Sequence, residues 1–210
     1  MLINEIFHSI QGESTFAGRP CVFVRVTGCA LRCVWCDTTY AYHEGTEMSL
    51  EAVIERVRGY ACPLVEITGG EPLETPEVPE LVRRLLDLGH EVLIETGGHR
   101  DISLLDRRSR AILDVKCPNS GMAEAMDWAN LDRLWPGCEV KFVVSNRADY
   151  LFARDLVRDR GLDGFPVLFS PVHDGLDPRD LAEWMLADGV NGRLQLQVHK
   201  FIWDPDTRGV

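Results

Sequence analysis

Residues 21–40, CVFVRVTGCALRCVWCDTTY, join an apolar, β-branched run to a loop that holds three cysteines. The run at 21–26 has the composition of a buried β-strand. Cys29, Cys33 and Cys36 follow it, separated by three and then two residues, and Gly28 helps the chain to curl. Thiols this close in sequence converge on one inorganic centre only from such a loop. We therefore expect reactive cysteines in a loop at 28–40, at the carboxyl end of a strand.

Strand-like and helix-like segments alternate along the rest of the chain. Further strand-like runs lie at 64–68, 91–95, 111–115, 139–144, 166–169 and 193–198. Ser49 predicts the N-cap of one helix, Thr75 precedes a second that runs to about Leu88, and residues 149–160 and 178–187 predict two more; 118–136 is less regular. No linker or repeat divides residues 1–210. This alternation predicts a single α/β domain with a mostly parallel sheet, either open or partly closed as a barrel.

Glycine-rich turns follow two other predicted strands. The turn GGEP at 69–72 follows the run that ends at Thr68, and TGG at 96–98 follows the run that ends at Glu95. In parallel α/β folds the reactive groups gather at the carboxyl ends of the strands. The cysteine loop and both turns are therefore expected at one edge of the sheet.

Composition narrows the class of protein. The 210 residues are 45% hydrophobic and 26% charged, as in a globular protein, and 33 acidic against 22 basic residues give a formal net charge of −11. So acidic a surface repels a phosphate backbone and disfavours a nucleic-acid partner. We find no signal peptide and no bilayer-spanning run, so we expect a cytoplasmic protein with reduced thiols. Seven cysteines, an odd number, then favour metal binding or burial over disulfides.

Two inorganic centres are compatible with the cysteine loop. Zinc requires a fourth ligand, for which His43 is the only nearby histidine. A 4Fe-4S cluster normally takes four cysteines, so three would leave one iron open for catalysis. Arg32 and Asp37 make the loop a poor apolar segment, which disfavours three cysteines that are merely buried.

The cysteine spacing, with Trp35 as an aromatic residue before the last cysteine, resembles the signature of the radical S-adenosylmethionine superfamily. The resemblance implies a partial (incomplete) β/α barrel of mostly parallel strands and a 4Fe-4S cluster on Cys29, Cys33 and Cys36. It further implies that S-adenosylmethionine chelates the open iron and is cleaved by one electron to methionine and a 5′-deoxyadenosyl radical. The GGEP turn resembles the one that holds the methionyl amino group.

Further motifs resemble the 7-carboxy-7-deazaguanine synthase family. They are SIQGES at 9–14, FVR at 23–25, CDT at 36–38, DVKCP at 114–118 and QVHK at 197–200. The resemblance implies a lyase of queuosine biosynthesis that contracts the ring of 6-carboxy-5,6,7,8-tetrahydropterin and releases ammonia. The chain departs from the family pattern at Ser14, matches it loosely at SPVHDG (170–175), and continues beyond His199 to Val210.

Site residues carried over from this resemblance fall into three groups. Those implied to contact the pterin are Ile10, Gln11, Gly12, Glu13, Arg25, Thr68 and His199. Those implied to contact S-adenosylmethionine are Trp35, Cys36, Asp37, Gly69, Gly70, Glu71, Asp114, Val115, Lys116, Ser170 and His173. Thr38 matches the position that binds magnesium, which prefers oxygen ligands.

Several of these positions have plainer interpretations. Read alone, the N-terminal segment is an edge strand and a polar turn, with Arg25 a surface residue. Lys116 reads equally well as a solvated charge, and a lone histidine in a strand, such as His199, is more often structural. For Arg25 the resemblance implies a bidentate pair with the substrate carboxylate, which lysine could not reproduce.

Two rival functions remain open at this stage. A radical S-adenosylmethionine activase would make a glycyl radical on a partner protein, and a zinc-binding interaction module would not be an enzyme. The resemblance also implies a homodimer and a low-potential electron donor such as flavodoxin. The pathway's end product, queuosine or another 7-deazapurine, does not follow from the sequence.

Overall fold

The computed structural model describes all residues 1–210. Its strands are β1 Leu2–Ile10, β2 Pro20–Val26, β3 Thr46–Glu47, β4 Leu64–Gly69, β5 Glu91–Thr96, β6 Arg110–Asp114, β7 Glu139–Val144, β8 Val167–Pro171 and β9 Arg193–Leu194. Its α-helices are α1 Leu50–Arg58, α2 Val78–Asp87, α3 Asn130–Arg133, α4 Arg147–Asp159, α5 Pro178–Asp188 and α6 His199–Ile202. Short 3-10 turns lie at Thr39–Tyr42, Pro72–Glu74, Ile102–Leu104, Pro118–Ser120, Ala123–Ala125 and Leu162–Gly164.

One sheet of nine strands organises the molecule, in the order β3-β1-β2-β4-β5-β6-β7-β8-β9. Strand β1 pairs antiparallel with β2 and with β3. Every pairing from β2 through β9 is parallel. Because β3 and β9 do not pair, the sheet stays open. The predicted partial barrel of mostly parallel strands is therefore confirmed.

Burial of the strands explains their uniform apolar composition. Strand β4 is buried from Leu64 to Thr68, and all of β8 is buried. Strands covered on both faces carry near-continuous apolar runs, which is why these segments lack clear alternation. A core cluster of 43 buried residues surrounds the sheet and fixes where the strand ends lie.

Helix ends follow the capping signals. The Ser49 side chain accepts a hydrogen bond from the amide of Ala52 at 3.2 Å, which confirms the predicted N-cap of α1. Helix α4 begins at Arg147, two residues before its predicted start. There the Asn146 side chain accepts hydrogen bonds from Ala148 and Asp149 and fixes the earlier boundary.

Three expectations about local structure are wrong. The predicted strand at 193–198 is only Arg193–Leu194, and His199 begins the short helix α6. Strand β1 is not an edge strand, because β3 lies outside it.

The chain contains no helix with the length and apolar character needed to cross a bilayer.

Candidate active site

A cavity of about 1020 Å³ opens at the carboxyl ends of the parallel strands. It gathers the residues that the sequence singled out from segments far apart in the chain. Its lining includes Ile10, Gln11, Gly12, Glu13, Arg25, Cys29, Cys33, Trp35, Cys36, Asp37, Thr38, Thr68, Gly69, Gly70, Glu71, Asp114, Lys116, Ser170, His173 and His199.

Val115 is the one predicted site residue that does not line the cavity. Its side chain is fully buried in the core, and its amide donates to the carbonyl of Lys141 at 2.8 Å. The structure thus places Val115 behind the cavity wall. Lys116, in contrast, lies on the cavity with its ammonium 2.8 Å from Asp114 Oδ2, so it is not a solvated charge.

Backbone hydrogen bonds fix the cysteine loop. The Gly28 amide donates to Ala41 at 2.8 Å, and the Cys36 amide donates to Cys33 at 3.2 Å. The Val34 amide donates to Ser120 at 3.1 Å, in the turn that follows β6. Cysteines 29, 33 and 36 are half-buried, whereas the other four cysteines are buried in the core. The loop therefore presents its thiols to the cavity.

The glycines after β4 let two loops touch through their backbones. A Cβ at Gly70 would lie 1.9 Å from Gly28 O, and one at Gly69 would lie 2.3 Å from Val26 O. Gly69 also has φ +139°, in the region that favours glycine. The Glu71 amide donates to Gly28 O at 2.7 Å. Glycine is needed here because the backbone of the GGEP turn packs directly against the backbone at the start of the cysteine loop.

The Glu71 carboxylate is satisfied within the protein. It accepts hydrogen bonds from the amides of Leu73 at 3.0 Å and Gly97 at 2.8 Å, and from the Thr96 hydroxyl at 2.7 Å. Burial raises its pKa, against these hydrogen bonds. Its side chain ties the turn after β4 to the turn after β5, which places both predicted turns beside the cysteine loop.

The surroundings of the thiols bear on the choice between zinc and a 4Fe-4S cluster. No three His, Cys, Asp or Glu side chains converge closely enough to hold a single metal ion, and His43 is not among the cavity residues. His43 is therefore not placed on the cavity as the fourth ligand that a zinc site would need. In a 4Fe-4S cluster each cysteine binds a different iron, so the thiols need not meet at one point. Burial raises the pKa of Cys29 to about 11, so positive iron would be needed to hold the thiolate.

Arg25 lies in the cavity wall, and only part of its guanidinium is hydrogen-bonded within the protein. Its Nε donates to Glu5 Oε1 at 2.8 Å, and the Tyr40 hydroxyl donates to the same oxygen at 3.1 Å. The rings of Phe7 and Tyr40 each lie 5.9 Å from the guanidinium carbon. The side chain is 16% exposed, so Arg25 is not the surface residue of the plainer interpretation. The terminal nitrogens donate no hydrogen bond within the protein and remain available for an anion.

The QGE turn and helix α6 are in direct contact and line the cavity together. A Cβ at Gly12 would lie 2.0 Å from His199 Nδ1, and the Val198 amide donates to Gly12 O at 3.0 Å. Gln11 donates through Nε2 to Glu66 and accepts from the Glu13 amide at 2.8 Å. Residues nearly 190 positions apart thus form one wall of the cavity.

Asp37 and Thr38 form a polar edge near the cluster loop. The Thr38 hydroxyl donates to Asp37 Oδ1 at 2.9 Å, and Lys200 Nζ lies 2.8 Å from Asp37 Oδ2. Burial opposes the charge, yet the Lys200 ammonium holds the pKa of Asp37 well below its usual value. Asp37 therefore stays ionised and orients the Thr38 hydroxyl.

Asp114 offers an acceptor that the protein leaves unused. Its Oδ2 pairs with Lys116, while its Oδ1 is buried and has no hydrogen-bond partner. Such a buried oxygen is costly unless a ligand donates to it. Its place on the cavity, beside the half-buried thiols, fits a bound ligand with hydroxyl or amine donors. The ribose and methionyl groups of S-adenosylmethionine carry such donors.

Three charged residues that lie within strands and line the cavity are absent from the sequence prediction. Glu66, Glu95 and Lys141 point inward from β4, β5 and β7. Their signal is a charged residue within an apolar run, as in LVEIT, EVLIE and EVKFVV. Burial, with the Glu95 and Glu13 charges, raises the pKa of Glu66 well above its usual value.

The C-terminal tail closes part of the cavity. Residues 204–210 all lie in its wall. The Arg208 guanidinium lies 3.8 Å from the centre of the Tyr40 ring, and its Nη1 is 2.8 Å from Glu44 Oε2. The tail that departs from the family pattern is thus folded back over the site.

Known proteins resemble this chain both in the segment that holds the cysteine loop and over its full length. The Radical SAM superfamily model matches residues 23–119. A 7-carboxy-7-deazaguanine synthase of Koribacter versatilis is 46% identical over 226 aligned positions, which cover 100% of both chains. The one of Chlorobaculum tepidum is 47% identical over 212 positions, with 99% of this chain and 96% of the relative covered.

A solved structure shares the architecture. The crystal structure of QueE from Escherichia coli matches with a TM-score of 0.77 at 25% identity, covering 94% of each chain. Full-length similarity to enzymes of one kind disfavours both the activase and the zinc-binding module. With its 4Fe-4S cluster and S-adenosylmethionine as cofactors, the chain belongs to the 7-carboxy-7-deazaguanine synthase family of radical S-adenosylmethionine enzymes.

Proposed function

We propose that this chain is a 7-carboxy-7-deazaguanine synthase, which converts 6-carboxy-5,6,7,8-tetrahydropterin into 7-carboxy-7-deazaguanine and ammonia. The substrate and the two products balance without an external oxidant, because the deazapurine is the pterin less one ammonia. The observation that carries the proposal is the single cavity in which the cysteine loop faces Arg25 and the QGE turn. Bound S-adenosylmethionine supplies the radical that starts the ring contraction.

The residues of the chain would bind and orient the pterin. The free nitrogens of Arg25 would pair with its carboxylate, and the hydrogen bond from Arg25 Nε to Glu5 supports this role. Ile10, the QGE turn, Thr68 and His199 would contact the ring. Folding the tail over the cavity would exclude water from the reacting atoms.

The other wall of the cavity would bind the cofactors. Cysteines 29, 33 and 36 would hold the cluster. Contacts to S-adenosylmethionine would come from Trp35, Cys36, Asp37, Gly69, Gly70, Glu71, Asp114, Lys116, Ser170 and His173. Thr38 would give magnesium one oxygen ligand, and the substrate would supply others. A homodimer in the cytoplasm, reduced by a low-potential donor such as flavodoxin, completes the proposal.

Anaerobic turnover tests this function. Reconstituted protein with dithionite, S-adenosylmethionine, magnesium and the carboxytetrahydropterin should form the deazapurine, read by its absorbance, and one equivalent of ammonia without a second protein. Omitting magnesium should slow turnover. Zinc in place of iron and sulfide, or no product, would contradict the proposal.

Substitution of Arg25 tests its proposed role in binding the substrate carboxylate. Arg25→Ala should abolish turnover and leave the iron content unchanged, and Arg25→Lys should not restore it because lysine lacks the planar fork. Arg58→Ala, an exposed arginine on α1, is the matched control and should retain full activity. Unchanged turnover in Arg25→Ala would remove its assigned role.

A further inference from the structure

Lys141 is a buried ammonium that lines the cavity. Its side chain, on β7, is 5% exposed. Three carboxylates surround it: Glu13 at 3.1 Å, Glu95 in direct contact and Asp114 at 3.7 Å. A buried charge of either sign is costly alone, so each of these groups depends on the others.

The partners of Lys141 belong to different walls of the cavity. Glu13 lies in the QGE turn, on the side proposed for the pterin. Asp114 ends β6, on the side proposed for S-adenosylmethionine; its Oδ2 faces the two lysines, and its Oδ1 is buried without a hydrogen-bond partner. Glu13 is also held by Gln195 at 3.1 Å and Gln197 at 3.0 Å. Lys141 is therefore the cation common to both walls.

We propose that Lys141 is a positioning residue that fixes the substrate wall and the cofactor wall relative to each other, through Glu13 and Asp114. This inference rests on the proposed function. Removing the ammonium takes away the only cation that Glu13, Glu95 and Asp114 share, so repulsion among them displaces Glu13 and Asp114 although Lys116 still pairs with Asp114. Lys116 differs because its ammonium pairs with Asp114 but not with Glu13.

The two lysines form a matched pair of variants. In anaerobic holoenzyme, before reduction, Lys141→Met should weaken equilibrium binding of both S-adenosylmethionine and the carboxytetrahydropterin by about tenfold each. Lys116→Met should weaken S-adenosylmethionine binding alone. In turnover, Lys141→Met should raise both KM values, and Lys116→Met should raise only that for S-adenosylmethionine. Both variants should retain the iron content of the wild type.

A charge-balanced variant guards against a failure to fold. Lys141→Met with Glu95→Gln removes one cation and one anion, and should fold while still weakening both ligands. If either Lys141 variant weakens one ligand only, or neither, the inference is overturned. Equal loss of both ligands in Lys116→Met would also overturn it. A wild-type protein without turnover would instead overturn the proposed function, so the two failures are distinguishable.

Discussion

Glu66 gives stability an expected pH dependence. Because burial and nearby carboxylates raise its pKa, the folded chain keeps a proton that the unfolded chain releases above about pH 4.3. Stability from Glu66 is therefore present at acid pH and is lost as pH rises toward the raised pKa. Glu66→Gln should remove this loss, so its Tm should exceed that of the wild type increasingly from pH 5 to pH 8.

Thermal unfolding of anaerobic protein measures the effect. Each kcal/mol corresponds to about 2–4 °C for a chain of this size. Glu55→Gln, on the exposed face of α1, should follow the wild-type curve. Parallel curves for Glu66→Gln and the wild type would show that Glu66 is ionised in the folded state.

Individual residues differ in how well the sequence predicts them. The cysteines and the glycine turns follow strand ends, and parallel topology brings such ends together whatever the exact register. Glu66 and Lys141 lie inside strands, where a charged residue normally faces solvent. Only the curvature of the partial barrel turns them inward, and a period-two pattern carries no information about that curvature.

At the level of elements, the contact between two loops predicts a steric requirement. Gly70→Ala would place its Cβ against Gly28 O, in backbone that cannot rotate away. We expect a loss of about 1–3 kcal/mol in stability and a displaced cysteine loop. Iron and sulfide per chain after reconstitution should therefore fall together with Tm.

Gly164→Ala is the matched control for this prediction. A Cβ at Gly164 meets no atom within 4 Å, and its backbone does not require glycine. Stability should change by less than about 0.5 kcal/mol and the iron content should not change. A Gly70→Ala protein with full iron content would show that the two loops can separate without loss of the cluster.

Element boundaries show where local signals suffice. The Ser49 cap and the buried strands β4 to β8 are set by short-range capping and apolar composition, which the sequence displays. The segment at 193–198 has the same apolar alternation as a strand. Strand β9 ends at Leu194, and after a hydrogen bond from the Gln195 amide to Phe169 O at 2.9 Å the chain turns toward Gly12. A long-range contact of this kind leaves no mark in a local pattern.

On the scale of the whole molecule, the open sheet leaves one side of the barrel to be covered by the chain ends. The N-terminal hairpin β1–β2 extends the sheet on one side, and residues 204–210 line the cavity. A partial barrel admits a larger ligand than a closed one but needs a movable cover to exclude water. Residues 204–210 line the cavity through contacts that include Arg208 on Tyr40, so we expect the tail to act as this cover.

The tail contact predicts a change in substrate binding without a change in chemistry. Arg208→Ala removes a cation–π contact worth about 0.5–1 kcal/mol together with an exposed ion pair to Glu44 that adds little, so the KM for the pterin should rise about two- to fivefold. The kcat should change little, because no proposed reacting group lies at 204–210. Arg179→Ala, exposed on α5, should match the wild type. Hydrogen exchange at 204–210 should be faster in Arg208→Ala, and substrate should slow it in the wild type. A lower kcat at unchanged KM would instead place Arg208 in the chemical step, and the tail would then act on the reacting atoms rather than as a cover.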